Sequence, residues 1–278
     1  YERASTTALE AYVRPKMARY ISHLADELPA DSSLRIMKSD GGVMSAGRIH
    51  RQAINTALSG PAAGVIGAFH LAQLAGYEQI ITLDMGGTST DVALCPGAPR
   101  MASTSTIDGL PLRSRFLDIE TIGAGGGSIA RVDAGGALRV GPESAGAEPG
   151  PIIYGQGGTA ITVSDANALL GRLDAEHFLG GEMRLHLDPA RAAFDDLAQQ
   201  TRMSAIDTAK GVIDVANVNI DRALRRVSVA RGYDPRTFTL MAFGGAGALH
   251  ACDLADRLDM ERVLVPRYPG VLCALGLL

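Results

Sequence analysis

Tryptophan is absent from this 278-residue chain, and all aromatic residues together make up only 5% of it. Surfaces that bind single-stranded nucleic acid stack bases on such rings, so that function class is disfavoured from the start. A basic footprint is also missing. The 26 Lys and Arg residues stand against 30 Asp and Glu, for a net charge of -4, and nucleic-acid binders carry the opposite balance. Cysteine is scarce: Cys95, Cys252 and Cys273 show no paired spacing. That excludes a zinc-cluster pattern and a disulfide framework, fits a reduced cytoplasm, and leaves each thiol as a small core residue. No apolar run reaches the ~20 residues of a bilayer span, and the first residues do not form a signal peptide. Neither a membrane nor a nucleic acid is therefore expected as a partner. A Gly-Lys-Ser/Thr ending is missing too, so the Walker A phosphate loop is excluded.

Glycine, in contrast, is abundant. There are 33 glycines, many of them clustered, in a chain whose 46% hydrophobic content is ordinary for a sizeable core. The most informative stretch runs from Ile80 to Leu94. An apolar, β-branched run ends at Asp84; Gly86, Gly87, Thr88, Ser89 and Thr90 follow, then Asp91 and a second apolar run. This pattern predicts strand, tight turn, strand. Glycines let backbone approach a ligand, and clustered N–H groups suit an anion such as phosphate. A carboxylate at a strand end can hold Mg²⁺ through its waters or orient an attacking water. A plain Gly-Gly hairpin is the competing reading, but it does not call for aspartates at both ends of a Thr-Ser-Thr cluster.

Length allows one large domain or two modest ones. Ala8 to Leu28 has helical apolar spacing and stops at Pro29; Leu34 to Met37 reads as a short strand entering the turn Asp40-Gly41-Gly42. Ser59 is expected to cap a helix with Pro61 in its first turn and Gly76 at its end. Gly60, Gly64 and Gly67 on one face of it point to close packing. Met101 to Ile107 and Phe116 to Ile122 read as strands. Ile129 to Val132 and Ala137 to Val140 flank the turn Asp133-Ala134-Gly135-Gly136 as a hairpin. Ser164 to Gly171 is a short helix in which Asp165 and Asn167 act as caps, with a role toward substrate as the alternative. Pro189 starts a helix that runs through Gln200. A long helix begins at Ser204 with Asp207 completing a capping-box pattern, and Gly232 ends it.

A second glycine cluster closes a strand. Phe238 to Phe243 is apolar, and Gly244, Gly245, Ala246 and Gly247 turn it into a helix from Ala248 to Leu258, followed by a strand at Val263 to Val265. A helix N-terminus after a glycine turn is a common nucleotide contact. The dinucleotide fingerprint is incomplete here, because Leu249 and His250 occupy the region of its third glycine, and Gly123 to Ser128 is an equally incomplete match. His250 could face a nucleotide or be a satisfied core histidine. The six histidines form no metal-ligand spacing. Asp118 with Glu120 is read as a solvated pair, and Arg222, Arg225 and Arg226 as a solvated face or subunit contact.

Asp84 to Asp91 resembles the second phosphate loop of the actin, sugar-kinase and heat-shock ATPase superfamily, and Phe243 to Gly247 resembles its adenosine loop. More specifically, the chain resembles the hydantoinase A/5-oxoprolinase family, to which acetone carboxylase-type subunits are related. The matching stretches are Ser59-Gly60-Pro61-Ala62-Ala63-Gly64, the Asp84 loop, Thr121 to Ser128, Gly150-Pro151 with Tyr154-Gly155, Thr162 to Asn167, and Pro266 to Gly270. They cover nearly the whole chain.

The resemblance implies an α/β, actin-like ATPase fold with ribonuclease-H-like sheets. Residues 1–78 would be the C-terminal part of an incomplete first lobe, and residues 79–278 a complete or nearly complete second lobe with the phosphate hairpin and adenosine loop. Nothing before Asp84 supplies the earlier Asp-Gly-Gly-Thr phosphate loop of the family. Together with Tyr1 in place of a start methionine and the apolar end at Ala274 to Leu278, this leads us to expect a piece of a longer protein. The implied chemistry is ATP-dependent opening of a cyclic amide or imide, through phosphorylation of its carbonyl. An acetone carboxylase-type activity, or a non-catalytic nucleotide-binding and assembly module, are the alternatives. ATP and Mg²⁺ are the implied cofactors, and a small cyclic amide or ketone the implied substrate. Implied partners are a hydantoinase B-type subunit or fused half and the missing N-terminal lobe. Asp84 is assigned to Mg²⁺ and its water, and Asp91 to water or metal orientation. Gly86, Gly87 and Thr88 are assigned to phosphate, and Gly244, Gly245, Ala246 and Gly247 to adenosine. Ala248 replaces a common Pro, and Glu120 stands where many relatives place His.

Overall fold

The computed structural model describes residues 1–29, 31–107 and 109–277, so Leu278, at the apolar end, lies outside the described residues. In chain order the helices are α1 (Glu2–Glu27), α2 (Ile49–Gln52), α3 (Ser59–Leu74), α4 (Val163–Leu169), α5 (Leu187–Thr201), α6 (Ala205–Val227), α7 (Gly247–Arg257) and α8 (Leu272–Leu275). The strands are β1 (Arg35–Met37), β2 (Val43–Ser45), β3 (Gln79–Met85), β4 (Thr90–Pro96), β5 (Met101–Ile107) and β6 (Leu110–Leu117). They continue with β7 (Ile119–Ile122), β8 (Ser128–Val132), β9 (Leu138–Ser144), β10 (Thr239–Phe243) and β11 (Val263–Leu264). Among the described residues no single helix is long and apolar enough to cross a membrane.

Two compact units emerge: Tyr1–Ile80 with Ala93–Ile119 and Val271–Leu278, and Ile81–Val92 with Glu120–Gly270. In the first, Ile21, Met44, Ile49 and Ala53 form one buried cluster, and Ile54, Leu112 and Phe116 another. The buried Glu10 carboxylate accepts the N–H groups of Ala53 (3.2 Å) and Ile54 (2.7 Å), which pins α1 to the turn before α3. The close packing expected of the α3 glycines is found at Gly67. A Cβ there would stand 2.9 Å from the Leu272 carbonyl of α8, and one on Gly276 would collide with the Ala63 carbonyl.

The five-stranded sheet has the order β11-β10-β3-β4-β7. β3 and β4 meet in the four-residue turn 86–89, closed by Gly86 N–H donating to the Ser89 carbonyl (3.0 Å). β10 and β11 are parallel, with α7 as their crossover. Numbered by appearance, the order is 5-4-1-2-3, the layout of a ribonuclease-H-like sheet, so the α/β actin-like fold class holds. In the second unit α6 packs on α4, α5, α7 and β9. Its apolar stripe, read as Ile206, Val212, Ile213, Ala216, Ile220, Ala223, Leu224 and Val227, is buried from Val212 onward, whereas Ile206 in the first turn is exposed.

Several local expectations need correction. α1 starts at Glu2 rather than Ala8 and carries Pro15 inside it. Ser59 is the first residue of α3 and not its cap; the chain arrives from a 3₁₀ turn, and Leu58 holds the cap position without a side-chain bond. The strand read as Phe116 to Ile122 is the end of β6 and the whole of β7, broken at Asp118. α6 ends at Val227; Gly232 instead closes the 3₁₀ turn that follows, in the left-handed region.

Candidate functional site

Three glycine turns converge in the second unit. The first is the 86–89 turn. Among the described residues the N–H groups of Gly87 and Thr88 donate to no backbone carbonyl. A Cβ on Gly87 would meet nothing within 4 Å. The second is the loop 123–128, which lies against it: Gly126 N–H donates to the Gly86 carbonyl (3.0 Å), and Gly127 N–H to that of Gly87 (2.6 Å). A Cβ on Gly125 would be 2.7 Å from the Gly87 carbonyl carbon and 2.8 Å from that of Thr88. Only a residue without a side chain fits there. The Thr90 hydroxyl fastens this loop by donating to the Ala124 carbonyl (2.5 Å).

The third turn follows β10. Gly244 has φ +78°, and a Cβ on it would be 2.5 Å from Asp84 Oδ1 and from the Met85 carbonyl oxygen. Gly244 is thus required twice, by its dihedral and by its approach to Asp84. Ala246 N–H donates to the Met85 carbonyl (2.9 Å), and Gly244 N–H to that of Pro269 (3.0 Å). A Cβ on Gly247 would be 3.2 Å from the Leu83 carbonyl, whereas Gly245 faces open space. Asp84 is the next-to-last residue of β3 and partly buried. Asp91 is the second residue of β4 and accepts a hydrogen bond from the Thr121 hydroxyl. Burial pushes the Asp91 carboxyl above its ordinary range against the opposing pull of that bond.

The structure therefore brings Asp84, Gly86, Gly87 and Thr88 together with Gly244 to Gly247. It adds the 125–127 loop, which motif reading had noted without a role. Ser164 was also missed: its N–H donates to the Gly126 carbonyl (2.7 Å), and its hydroxyl fills the space beside Gly126. A long-range contact of this kind has no local sequence signal.

Unpartnered N–H groups around open space form an anion cradle. A polyphosphate fits it, since the space beside Gly87 and Gly245 is what a side chain would fill. Among the described residues no three His, Cys, Asp or Glu side chains gather as a metal-ligand set. Mg²⁺ fits such a site, because it keeps most of its waters and takes one or two carboxylates plus phosphate oxygens.

Other candidates resolve structurally. Asp165 forms a capping box with Thr162 and also accepts the Ile153 N–H (2.9 Å), so its oxygens are spent on the fold. Glu120 pairs with Arg226 at 2.8 Å, Arg225 with Asp221 at 2.9 Å, and Asp118 with Arg100 at 3.7 Å. Cys95 is buried, its thiol pushed up to about 12 by desolvation, but Cys252 is exposed and is not a core residue. His250 is fully buried within a side-chain network.

A family model described as hydantoinase/oxoprolinase matches residues 3–278. The chain belongs to that family. It is 42% identical over 282 residues to the caprolactamase subunit alpha of Pseudomonas jessenii, covering 99% of this chain and 40% of that protein. Identity to 5-oxoprolinase 1 of Arabidopsis thaliana is 37% over 296 residues, covering 99% and 23%. Identity to the acetophenone carboxylase gamma subunit of Aromatoleum aromaticum is 36% over 283 residues, covering 99% and 38%. Among solved structures, nucleotide-free acetone carboxylase superposes with a TM-score of 0.88 at 32% identity, covering 99% of this chain and 39% of that one. The ATP-dependent caprolactamase of Pseudomonas jessenii superposes at 0.87 and 40% identity, covering 99% and 41%. The chain thus spans about two fifths of the caprolactamase subunit and under a quarter of the 5-oxoprolinase.

Proposed function

We propose that this chain supplies one half of an ATP site in an enzyme that opens a cyclic amide or imide of the hydantoin or 5-oxoproline kind. The observation that carries this reading is the convergence of the 86–89, 123–128 and 244–247 turns around open space. It is supported by family membership and by likeness to proteins named as ATP-dependent. When bound, ATP would supply the phosphoryl group that activates the amide carbonyl toward water, so that the ring C–N bond breaks and the phosphoryl group is finally released to water as phosphate.

The chain's own residues bind and orient. Gly87 and Thr88 hold phosphate oxygens through their backbone N–H groups and the Thr88 hydroxyl, and Gly86, whose own N–H closes the turn onto Ser89, lets the phosphate approach the backbone. Gly244, Gly245, Ala246 and Gly247 hold adenosine. Asp84 holds Mg²⁺ through its waters. Asp91, whose raised pKa suits proton transfer nearer neutrality, orients a water. Catalysis here is positioning plus charge stabilisation. We further propose that residues 1–78 end a first lobe and residues 79–278 form the second. The other phosphate loop then lies elsewhere in the whole protein, which works in the cytoplasm with a hydantoinase B-type subunit or fused half.

A second reading uses the same site. The superposition on acetone carboxylase favours a carboxylase in which ATP activates bicarbonate or a ketone. Titration of the full-length protein and its second subunit with Mg²⁺-ATP tests the site. Phosphate release with hydantoin, 5-oxoproline, or acetone plus bicarbonate then separates the two readings. ATP binding without release on any of the three would favour a nucleotide-binding and assembly module instead.

A further inference from the structure

His250 lies one turn into α7, directly behind the Gly244–Gly247 turn, and is completely buried. Its Nδ1 is 2.7 Å from Asn217 Oδ1 on α6, and its Nε2 is 3.2 Å from Asn167 Nδ2 on α4. Asn167 Nδ2 also donates to the Val163 carbonyl (3.2 Å), which identifies that atom as the amide nitrogen. His250 Nε2 must therefore accept, so the proton sits on Nδ1 and is donated to Asn217. Asn217 Nδ2 in turn donates to Asp253 Oδ2 (3.3 Å), and Arg172 holds that same oxygen (3.0 Å) and the Leu249 carbonyl (3.1 Å). The result is a one-way hydrogen-bond chain: Asn167 to His250 to Asn217 to Asp253.

The two ends of this chain matter for the site. α7 carries the 244–247 turn at its start. α4 carries Ser164, whose N–H is bonded to the Gly126 carbonyl in the loop that backs the phosphate turn. The His250–Asn167 contact is thus a direct polar tie between the helix that bears the adenosine turn and the helix bonded to the loop behind the phosphate turn. Among the described residues, Asn167 Oδ1 is buried with no hydrogen-bond partner. A buried acceptor left unmet is costly, and a core Leu in its place would avoid that cost.

We propose that His250 is a positioning residue for the nucleotide, holding the 244–247 turn in register with the 125–127 loop through Asn167. This rests on the ATP reading of the site. Substitutions can cut the two contacts of the ring separately. In His250→Gln the side-chain oxygen reaches the Nε2 position and still accepts from Asn167. In His250→Asn the amide reaches only the Nδ1 position, so Asn217 is kept and Asn167 is lost.

The test is steady-state ATP hydrolysis by the full-length protein with its second subunit, alongside direct Mg²⁺-ATP titration and a thermal melt. His250→Asn should raise the KM and Kd for ATP about tenfold while kcat changes less than threefold. His250→Gln should stay within threefold of wild type in both constants. Asn167→Leu, which keeps the volume and removes the donor, should reproduce the His250→Asn effect, and the double variant should add little to it. Equal KM in all folded variants would overturn the proposal. So would losses in KM that track the melting temperature of every variant alike, since that is what a merely structural role produces. Should the His250 variants not fold, Asn167→Leu alone decides: a wild-type KM refutes the tie. Wild-type protein that binds no Mg²⁺-ATP would sink the site reading and this role together. Binding without a variant effect would sink only the role.

Discussion

Gly87→Val separates binding from folding more cleanly than any other change in the phosphate turn. A Cβ at this position meets no protein atom within 4 Å, and the φ of Gly87 lies outside the left-handed region. The backbone therefore lies outside the region in which a side chain is strained, and the first side-chain carbon of valine meets no clash beyond the neighbouring residues. What it fills is the space beside two unpartnered N–H groups. A hydrogen bond to a charged oxygen is worth about 1.5–3 kcal/mol, so displacing the phosphate from one such donor weakens binding by roughly 10- to 150-fold. The neighbouring glycine behaves in the opposite way. A Cβ on Gly125 lands 2.7–2.8 Å from backbone atoms of Gly87 and Thr88, and overpacking of that kind costs about 1–3 kcal/mol of stability. Calorimetric titration with Mg²⁺-ATP and a thermal melt, run on both variants of the full-length protein, read the two effects side by side. Gly87→Val should lose affinity at an unchanged melting temperature, and Gly125→Ala should lose both. Undiminished affinity in a folded Gly87→Val protein would remove this turn from nucleotide binding.

Asp84→Asn keeps the shape of the β3 end and removes its charge. Loss of one well-placed electrostatic contact commonly costs about 3–4 kcal/mol, or a hundred- to thousand-fold in turnover, and wild-type ATP hydrolysis in the mutant would exclude Asp84 from the mechanism. Arg226→Ala should leave ATP affinity unchanged and shift stability by less than ~1 kcal/mol, because the Glu120–Arg226 pair is half exposed; lost turnover would return Glu120 to the site. Desolvation, with a smaller push from the Arg172 charge against Asp253, lowers the His250 pKa from 6.5 to about 4. The unfolded chain then binds the proton first, so this stabilisation is complete above pH 6.5 and drains away as pH falls toward 4. It amounts to about 3 kcal/mol over that window. His250→Gln should flatten the denaturant-measured stability profile between these limits, and an unchanged slope would contradict the neutral buried ring.

The parts of the fold that were legible in the sequence are those whose signals are local. The β3–β4 hairpin announced itself by two β-branched runs around Gly86-Gly87, the β8–β9 hairpin by Asp133 to Gly136, and α6 by Ser204, Asp207 and a 3.6-residue stripe. Errors fell where a neighbour in space or chain decided the outcome. Ser59 has the chemistry of a cap, but the preceding 3₁₀ turn delivers the chain already wound, so no extended cap residue is needed. Pro15 is the reverse case. Tertiary attachment of α1 through Glu10 and its apolar face carries the helix past a residue that usually breaks one.

The same division runs through the site. Asp84, Gly86 and Gly87 could be picked out because a strand end, a turn and a carboxylate sit within a few residues of one another. The glycines at 125 and 244 gave only incomplete fingerprints, since what makes each indispensable is 37 residues or more away in sequence. Gly125 is required by the backbone at Gly87, and Gly244 by the Asp84 carboxylate and the Met85 carbonyl. His250 shows the limit most plainly. Its neighbours in the chain say nothing about its state, whereas Asn167 and Asn217, 83 and 33 positions away, fix its tautomer and leave its ring neutral. Reading such a residue requires knowing which helices face each other, and that is settled by the packing of α4, α6 and α7 rather than by any motif along the chain.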